Sequence, residues 1–341
     1  YRGYLSNMQN TAHFGLNSLS VDSLSIVWPD NSISFIRNVP INKMVIYDYN
    51  NLSRGVKGKE KKKSTLFSKI DLGINYKHEE FDFIDYNIQP LLFHKLSQFG
   101  PGISVGDFNG DNLDDFYIGG SRSYSGTFYQ QKNDGTFSKE NLFDYNYGDN
   151  IEEELGSLLF DADNDGDDDL YIVSGGNEYD KSHNSYVDRF FINSNGKYIK
   201  SNDVLPKFLS SGSCVRASDY DNDGDLDIII SHIDLRASAT LLRNDIKNNN
   251  HWLGLTLIGK NGPASALGAK VTIYVGEKRL VKMNQYATSY LSSNDPRMHF
   301  GLGGHHQVDR LEIYWPDQHT DVFYDIKADR YLTAIQNKGL R

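Results

Sequence analysis

The chain has 341 residues, of which 38% are hydrophobic and 13% aromatic, with 45 acidic against 35 basic residues. This length suggests about two domains, and the aromatic content excludes a disordered chain. The formal net charge of -10 argues against nucleic acid as a partner, and no apolar run has the roughly 18 residues that a membrane helix needs. A single cysteine, Cys214, excludes intramolecular disulfides and zinc sites built on several thiolates.

Three motifs near the start of the chain return in the same order near its end, at an offset of 286 or 287 residues. This order indicates an internal duplication. We therefore expect the chain to begin inside the tail of one module, as a fragment or processed product, and to end with a fuller copy. We also expect both tryptophans to anchor a core. The paired motifs are Tyr4-Leu5-Ser6 with Tyr290-Leu291-Ser292, His13-Phe14-Gly15-Leu16 with His299-Phe300-Gly301-Leu302, and Trp28-Pro29-Asp30 with Trp315-Pro316-Asp317.

A basic run, KGKEKKK, extends from Lys57 to Lys63. Blocks of like charge mostly remain hydrated. We therefore interpret residues 51–77 as a linker between modules.

A second kind of repeat occupies the middle of the chain, at spacings of 54 and 58 residues. Each unit has a short apolar run, an Asp-rich loop, a β-prone run, and a further strand-like run some 12 residues later. The turn signals Asn133-Asp134-Gly135 and Asn195-Gly196 follow in the first two units. A unit of about 55 residues with several short strands is typical of a propeller blade.

The three Asp-rich loops read DFNGDNLDD from Asp107, DADNDGDDD from Asp161 and DYDNDGDLD from Asp219. Side-chain oxygens stand at positions 1, 3, 5 and 9 of each loop, and position 7 can offer a backbone carbonyl. Ca²⁺ takes six to eight oxygens, so we predict up to three Ca²⁺ sites. Their candidate ligands are Asp107, Asn109, Asp111, Leu113, Asp115, Asp161, Asp163, Asp165, Asp167, Asp169, Asp219, Asp221, Asp223, Asp225 and Asp227.

Position 6 of each loop must turn sharply, and Gly166 and Gly224 suit a positive φ there. Asn112 replaces glycine in the first loop, where asparagine tolerates the left-handed region. An EF-hand needs a glutamate at position 12. An isoleucine inside a strand-like run stands there in all three loops, which excludes the EF-hand and favours a loop between strands.

The loops resemble FG-GAP (VCBS) repeats, the calcium-bearing blades of integrin-like β-propellers. The segments that begin at Trp252, Gly268, Tyr290, His299 and Trp315 resemble the ASPIC/UnbV domain, which accompanies such propellers in many bacterial surface proteins. This resemblance implies about seven blades, whereas the chain shows three loops. Three blades cannot close a ring, so we expect a partial or open array.

These patterns together predict an all-β protein with calcium-loop, propeller-type blades and a β-rich ASPIC/UnbV-like domain. The expected domains are a partial ASPIC/UnbV-like module (1–50), a linker (51–77), the blades (78–248) and a fuller ASPIC/UnbV-like domain (249–341). The expected function is that of an extracellular, cell-surface or periplasmic calcium-binding scaffold or adhesion protein with a protein or glycan ligand, and not an enzyme.

The alternative is a calcium-dependent enzyme acting on polysaccharide. It needs two acids in a cleft that are not metal ligands. Glu152, Glu153 and Glu154 form the remaining unassigned acidic cluster, and we interpret them as a solvated turn.

Overall fold

The computed structural model describes residues 11–17, 20–56, 67–142, 150–180, 182–209, 211–233, 238–286 and 293–341. The predictions for Tyr4–Ser6, Tyr290–Ser292 and the basic run from Lys57 to Lys63 therefore concern residues outside the described ranges. The chain divides into two compact units, Tyr1–Ile70 and Asp71–Arg341. Within the described residues, no helix is both long enough and apolar enough to span a membrane.

The first unit contains a three-stranded antiparallel sheet and the short 3₁₀ helix Tyr49–Asn51. Trp28 lies in the turn between the first two strands, half-buried, and its indole N–H donates to Oγ of Ser34 over 3.0 Å. The first copy of the His-Phe-Gly-Leu motif is exposed, with Phe14 68% accessible. The strands are β1 (Val21–Val27), β2 (Ser32–Val39) and β3 (Arg54–Val56).

The middle of the chain forms three antiparallel sheets in which each strand pairs with the next in sequence. This up-and-down order is that of a propeller blade. The first sheet contains β4 (Ile103–Gly106), β5 (Asp115–Ile118), β6 (Thr127–Gln131) and β7 (Phe137–Asn141). The second contains β8 (Glu153–Phe160), β9 (Asp169–Gly175), β10 (Arg189–Ser194) and β11 (Lys197–Ser201). The third contains β12 (Gly212–Ser218), β13 (Asp227–His232) and β14 (Thr240–Leu242), and 3₁₀ helices occupy Asp85–Asn87 and Asn184–Tyr186.

The first strands of neighbouring blades lie side by side, with β8 between β4 and β12. Ser104 of β4 donates a hydrogen bond to Ser157 of β8 over 2.7 Å. A Cβ on Gly102 would overlap the backbone of Gly156, so the absence of a side chain permits this close approach. In the part of the chain that the structure describes, none of the sheets closes on itself, which confirms the prediction of an open or partial array.

The C-terminal part consists of two four-stranded sheets around one apolar core. One sheet has the order β18-β15-β21-β22, with β15 and β21 parallel, and the other has the order β17-β16-β19-β20. Trp315 is fully buried in this core, as predicted for a core anchor. The strands are β15 (His251–Ile258), β16 (Lys270–Val275), β17 (Lys278–Met283), β18 (Met298–Gly303), β19 (Gln307–Tyr314), β20 (Thr320–Lys327), β21 (Arg330–Ile335) and β22 (Gly339–Leu340).

The duplicated Trp-Pro-Asp motif forms the same hairpin in both units. The indole N–H of Trp315 donates over 2.8 Å to the carboxylate of Asp321, six residues later in the chain. The indole N–H of Trp28 donates in the same way to Ser34, which is also six residues later. The third residue after each tryptophan has a positive φ, 64° at Asn31 and 71° at Gln318. The repeated sequence therefore encodes a repeated local structure.

Candidate metal centre

Each Asp-rich loop connects the first strand of a blade to the second. Residues 107–115, which we call loop one, join β4 to β5, while loop two (161–169) joins β8 to β9 and loop three (219–227) joins β12 to β13. The position-9 aspartates Asp115, Asp169 and Asp227 begin the second strands. Gly102 lies against Gly156 and Gly106 against Leu159, so β4 and β8 run in the same direction. Asn164 of loop two donates to Asp225 of loop three, so the three loops lie at one edge of the array.

The backbone of the loops turns as the sequence predicted. The φ angles at position 6 are 67° at Asn112, 91° at Gly166 and 100° at Gly224. The isoleucines at position 12, Ile118, Ile172 and Ile230, all lie within strands, so the exclusion of an EF-hand is confirmed.

Loops two and three share one pattern of internal hydrogen bonds. The position-1 carboxylate accepts from the backbone N–H at position 6, the position-5 carboxylate from position 7, and the position-9 carboxylate from position 2. These bonds wind nine residues tightly enough for alternate side chains to converge. The distances are 3.0 Å (Gly166 to Asp161), 2.9 Å (Asp167 to Asp165) and 3.1 Å (Ala162 to Asp169) in loop two, and 3.0 Å (Gly224 to Asp219), 3.0 Å (Asp225 to Asp223) and 3.0 Å (Tyr220 to Asp227) in loop three.

In loop two, Asp161, Asp163 and Asp165 each place a ligand atom within 4.8 Å of the others. Asp161 is only 2% exposed, and its Oδ1 is buried with no hydrogen-bond partner among the described residues. Burial raises the pKa of Asp161 well above its usual range, while Lys282 opposes that shift and neighbouring loop carboxylates add to it. A buried, unpartnered carboxylate oxygen among other carboxylates is the environment that a bound cation stabilises.

In loop three, the three ligand atoms within 4.8 Å come from Asp219, Asp221 and Asp227. Asp227 is fully buried, and its two oxygens accept N–H bonds from Tyr220 and Asn244 at 3.0 and 2.8 Å. Burial also raises the pKa of Asp227. Two of the predicted ligands lie outside this group: Asp223, and Asp225, whose carboxylate instead accepts a bond of 2.8 Å from Asn164.

Loop one is more exposed and closes on itself. Asp107 accepts from the backbone N–H groups of Gly110, Asp111 and Asn112 at 2.7–3.1 Å. Asp115 is fully buried, and burial raises its pKa to about 7. Within the described ranges, loop one does not form a group of three acidic ligand atoms, partly because position 3 is the amide Asn109.

The donors of loops two and three are carboxylate oxygens, without histidine or sulfur. Such a set suits a hard divalent cation such as Ca²⁺ and not a thiolate-bound metal. The unpartnered oxygen of Asp161 and the convergence of three carboxylates in each loop fit a cation. Loops two and three could therefore hold a metal ion.

The loops also contact the C-terminal β-sandwich, a feature that sequence reasoning missed. Tyr331 donates to Oδ2 of Asp219, and Arg297 donates to the carbonyl of Asp219 over 2.5 Å. Lys278 donates to the carbonyl of Asp165 over 2.8 Å. The repeated motif around His299 was visible in the sequence, but nothing in the sequence indicated that this part of the chain packs against the Asp-rich loops.

At the other end of β8, the interpretation of Glu152, Glu153 and Glu154 as a solvated turn is wrong for Glu153 and Glu154, whereas Glu152 precedes the strand and is partly exposed. Glu153 and Glu154 are 2% and 1% exposed and lie within the strand. Glu154 accepts from Arg189 at 2.6 Å, from the Tyr117 hydroxyl at 2.5 Å and from the Gly120 N–H at 2.6 Å. These acids are buried because β8 is the first strand of a central blade, packed between two others.

A cleft of about 460 Å³ lies near these residues, bordered by Tyr76, His78, Glu79 and Ser121 among others. Among the described residues that line it, Glu79 is the one acid, and Glu153 and Glu154 do not line it. The pair of cleft acids that glycoside hydrolysis needs is therefore not formed here by the acidic cluster.

The fold and the loops define a class of all-β repeat proteins with Asp-rich loops between the strands of propeller-type blades. Residues 161–230 match the family model of the FG-GAP-like repeat, and residues 1–53 and 259–341 match the family model described as ASPIC and UnbV. The resemblance predicted from the motifs is confirmed for both families.

Among curated proteins, the chain is similar to cartilage acidic protein 1. It is 27% identical to the Homo sapiens protein over 227 residues, which is 64% of this chain and 33% of that protein. It is 26% identical to the Mus musculus protein over 227 residues and to the Xenopus tropicalis protein over 234 residues, again 64% of this chain and 34% of each relative. The chain therefore spans about a third of the length of the curated relatives it matches.

Proposed function

We propose that this chain is part of an extracytoplasmic calcium-binding scaffold or adhesion protein, in which Ca²⁺ rigidifies the loops of the blades. The observation that carries this proposal is the convergence of Asp161, Asp163 and Asp165 around a buried carboxylate oxygen that has no hydrogen-bond partner among the residues the structure describes. Asp219, Asp221 and Asp227 supply a second group of the same chemistry. Loop one is the third proposed site, with Asp107, Asn109, Asp111 and Asp115 as side-chain ligands and Leu113 as carbonyl ligand.

Bound Ca²⁺ supplies positive charge that neutralises the crowded carboxylates. The chain's own residues then hold the loops: the position-6 N–H fixes the position-1 carboxylate, and the position-9 carboxylate ties the loop to the second strand. In loops two and three the remaining proposed ligands are Asp167, Asp169, Asp223 and Asp225. Fixed loops keep neighbouring blades in one arrangement and so present a stable surface to a protein or glycan.

The proposed location follows from the chemistry of the sites. Loops of this kind suit affinities of about 10⁻⁴ to 10⁻³ M, which millimolar extracellular calcium can saturate. The domain limits proposed from the sequence, 1–50, 51–77, 78–248 and 249–341, place all three loops in the blade segment.

The enzyme alternative is less favoured. Its candidate acids, Glu153 and Glu154, are buried rather than exposed in the cleft. Glu153 accepts a hydrogen bond from the backbone N–H of Arg122, and Glu154 accepts one from the guanidinium of Arg189. Turnover on a panel of polysaccharides that disappears in Glu153→Gln would favour the enzyme instead.

Isothermal titration calorimetry with Ca²⁺, and separately with Mg²⁺, tests the proposal. We expect up to three Ca²⁺ sites with weaker Mg²⁺ binding, and loss of one site in Asp161→Asn and of another in Asp219→Asn. The matched control is Asp114→Asn, an exposed position-8 residue of loop one with the same charge change. Absence of Ca²⁺ binding in the unaltered chain would contradict the proposal. Protein pull-down and glycan arrays, each with Ca²⁺ and with chelator, then separate the two ligand classes.

A further inference from the structure

The C-terminal β-sandwich packs directly against loop two. In β18, Nε2 of His299 lies 2.7 Å from Oδ1 of Asn164, and the Gly303 N–H donates to the Asn164 carbonyl over 2.8 Å. Between them, a Cβ on Gly301 would overlap Oδ2 of Asp161. The His-x-Gly-x-Gly sequence thus lets β18 pack against Asp161, the first proposed ligand of loop two, because Gly301 has no side chain at the point of closest approach.

Loop three is covered by a different set of residues from the same domain. The Tyr331 hydroxyl donates to Oδ2 of Asp219, and Arg297 donates to the carbonyl of Asp219 and to Oδ1 of Asn222 at 2.5 and 2.6 Å. Trp252 lies so close that a Cβ on Gly224 would overlap its indole ring. The first proposed ligand of loop three is therefore held by the sandwich through both its side chain and its backbone.

A basic hairpin of the sandwich completes the contact. Lys278 donates to the carbonyl of Asp165 in loop two, and Arg279 donates to Oδ1 of Asn112 in loop one, at 2.8 and 2.9 Å. Most of these bonds end on backbone carbonyls or amide oxygens of the loops. These hydrogen bonds therefore depend on the backbone conformation of each loop and not only on its negative charge.

Residues that hydrogen-bond a metal ligand fix its orientation, and replacing them commonly lowers metal affinity by about 10- to 100-fold. Tyr331 hydrogen-bonds the proposed ligand Asp219 in this way. Gly301, which has no side chain, allows β18 to lie in contact with the proposed ligand Asp161. We propose that the C-terminal sandwich completes the cation sites of loops two and three, with Tyr331, Arg297 and His299 as positioning residues. This inference rests on the proposed calcium binding.

Thermodynamic linkage makes the effect reciprocal. If docking of the sandwich raises the Ca²⁺ affinity of the loops, then Ca²⁺ strengthens the docking of the sandwich by the same factor. Calcium would thereby join the blades to the C-terminal domain as well as rigidify the blades.

Hydrogen exchange measured by mass spectrometry over a Ca²⁺ titration tests the inference, because peptides from each loop report their own midpoint. In Tyr331→Phe, which removes one hydroxyl, we expect the midpoint of loop three to rise about tenfold or more. The midpoint of loop one, which Tyr331 does not contact, stays unchanged within the same sample. The matched control is Tyr324→Phe, a 66% exposed tyrosine of β20 in the same domain, for which no midpoint shifts.

A second readout follows the docking itself. In the unaltered chain, adding Ca²⁺ should slow exchange in β18, and chelator should reverse this. The inference would be overturned if Tyr331→Phe and Tyr324→Phe gave equal Ca²⁺ midpoints for loop three, or if exchange in β18 did not change with Ca²⁺. Either result would leave the proposed calcium binding intact. Loops that show no Ca²⁺ midpoint in the unaltered chain would overturn both.

Discussion

Asp161→Asn should change stability in opposite directions with and without calcium. Without Ca²⁺, Asp161 is a buried carboxylate close to other carboxylates, and its Oδ1 has no hydrogen-bond partner in the described part of the chain. Asparagine keeps an oxygen for the Gly166 N–H, 3.0 Å from the present carboxylate, and removes the charge. The NH₂ group that takes the place of Oδ1 can donate to the neighbouring carboxylates of Asp163 and Asp165, and a buried polar atom that lacks such a partner costs about 1–3 kcal/mol. In chelator, the variant should therefore be more stable than the unaltered chain, by up to roughly that amount.

With Ca²⁺, the variant loses the stabilisation that one occupied site provides. A site with a dissociation constant of about 10⁻⁴ to 10⁻³ M contributes about 1.4–2.7 kcal/mol at roughly 10 mM Ca²⁺. The unaltered chain gains this free energy of unfolding at loop two, and the asparagine variant does not. The two stability curves should therefore cross as calcium is added.

Urea unfolding in chelator and in about 10 mM Ca²⁺, followed by circular dichroism, measures both differences. Asp114→Asn serves as control, because it removes one exposed charge and should leave the difference between the two buffers unchanged. A variant less stable than the unaltered chain by the same amount in both buffers would refute the reasoning, since Asp161 would then be a structural residue only.

Two further predictions concern the buried acids of β8. Arg189→Met removes the guanidinium partner of Glu154, 2.6 Å away with both side chains 2% exposed. It should lower the free energy of unfolding by about 3–5 kcal/mol, because it leaves a buried charge without its partner. Adding Glu154→Gln should restore part of this loss. Urea midpoints that fall equally in the single and the double variant would contradict the coupling of the two residues. Burial raises the pKa of Glu153 from 4.5 to about 9, so its stabilising contribution is full below about pH 4.5 and is lost as pH rises toward 9. Glu153→Gln should therefore gain stability relative to the unaltered chain between pH 6 and pH 8, and parallel urea midpoints at the two pH values would contradict this.

The loops were predictable because their structure is local. Nine residues contain the aspartates, the turn residue with positive φ and nearly all the hydrogen bonds that wind them. The turn around Trp315 is local in the same way, since the repeated Trp-Pro-Asp sequence forms the same hairpin at Trp28, although the sequence predicted only a core anchor there. Local hydrogen bonds and backbone preferences act within a few residues, so sequence spacing is sufficient evidence for them.

Other features depended on neighbours distant in the chain. Glu153 and Glu154 stand in a polar stretch typical of a turn, and burial between blades reverses that interpretation. The same limit applied to the choice of ligands. Asp165 joins the group in loop two, whereas Asp227 joins the group in loop three, and the shared spacing of the two loops does not distinguish these positions.

The sequence by itself determined that the chain is all-β, that three Asp-rich loops repeat the same spacing of side-chain oxygens, and that one set of motifs occurs twice. Only the tertiary structure decided which carboxylates converge, which acids are buried and which domain covers the loops. Tyr331 and Asp219 are 112 residues apart, and a contact at that separation depends on how whole sheets pack. Periodicity and spacing in the sequence predict local structure such as strands, turns and loops, whereas the packing of sheets determines the contacts between residues distant in the chain.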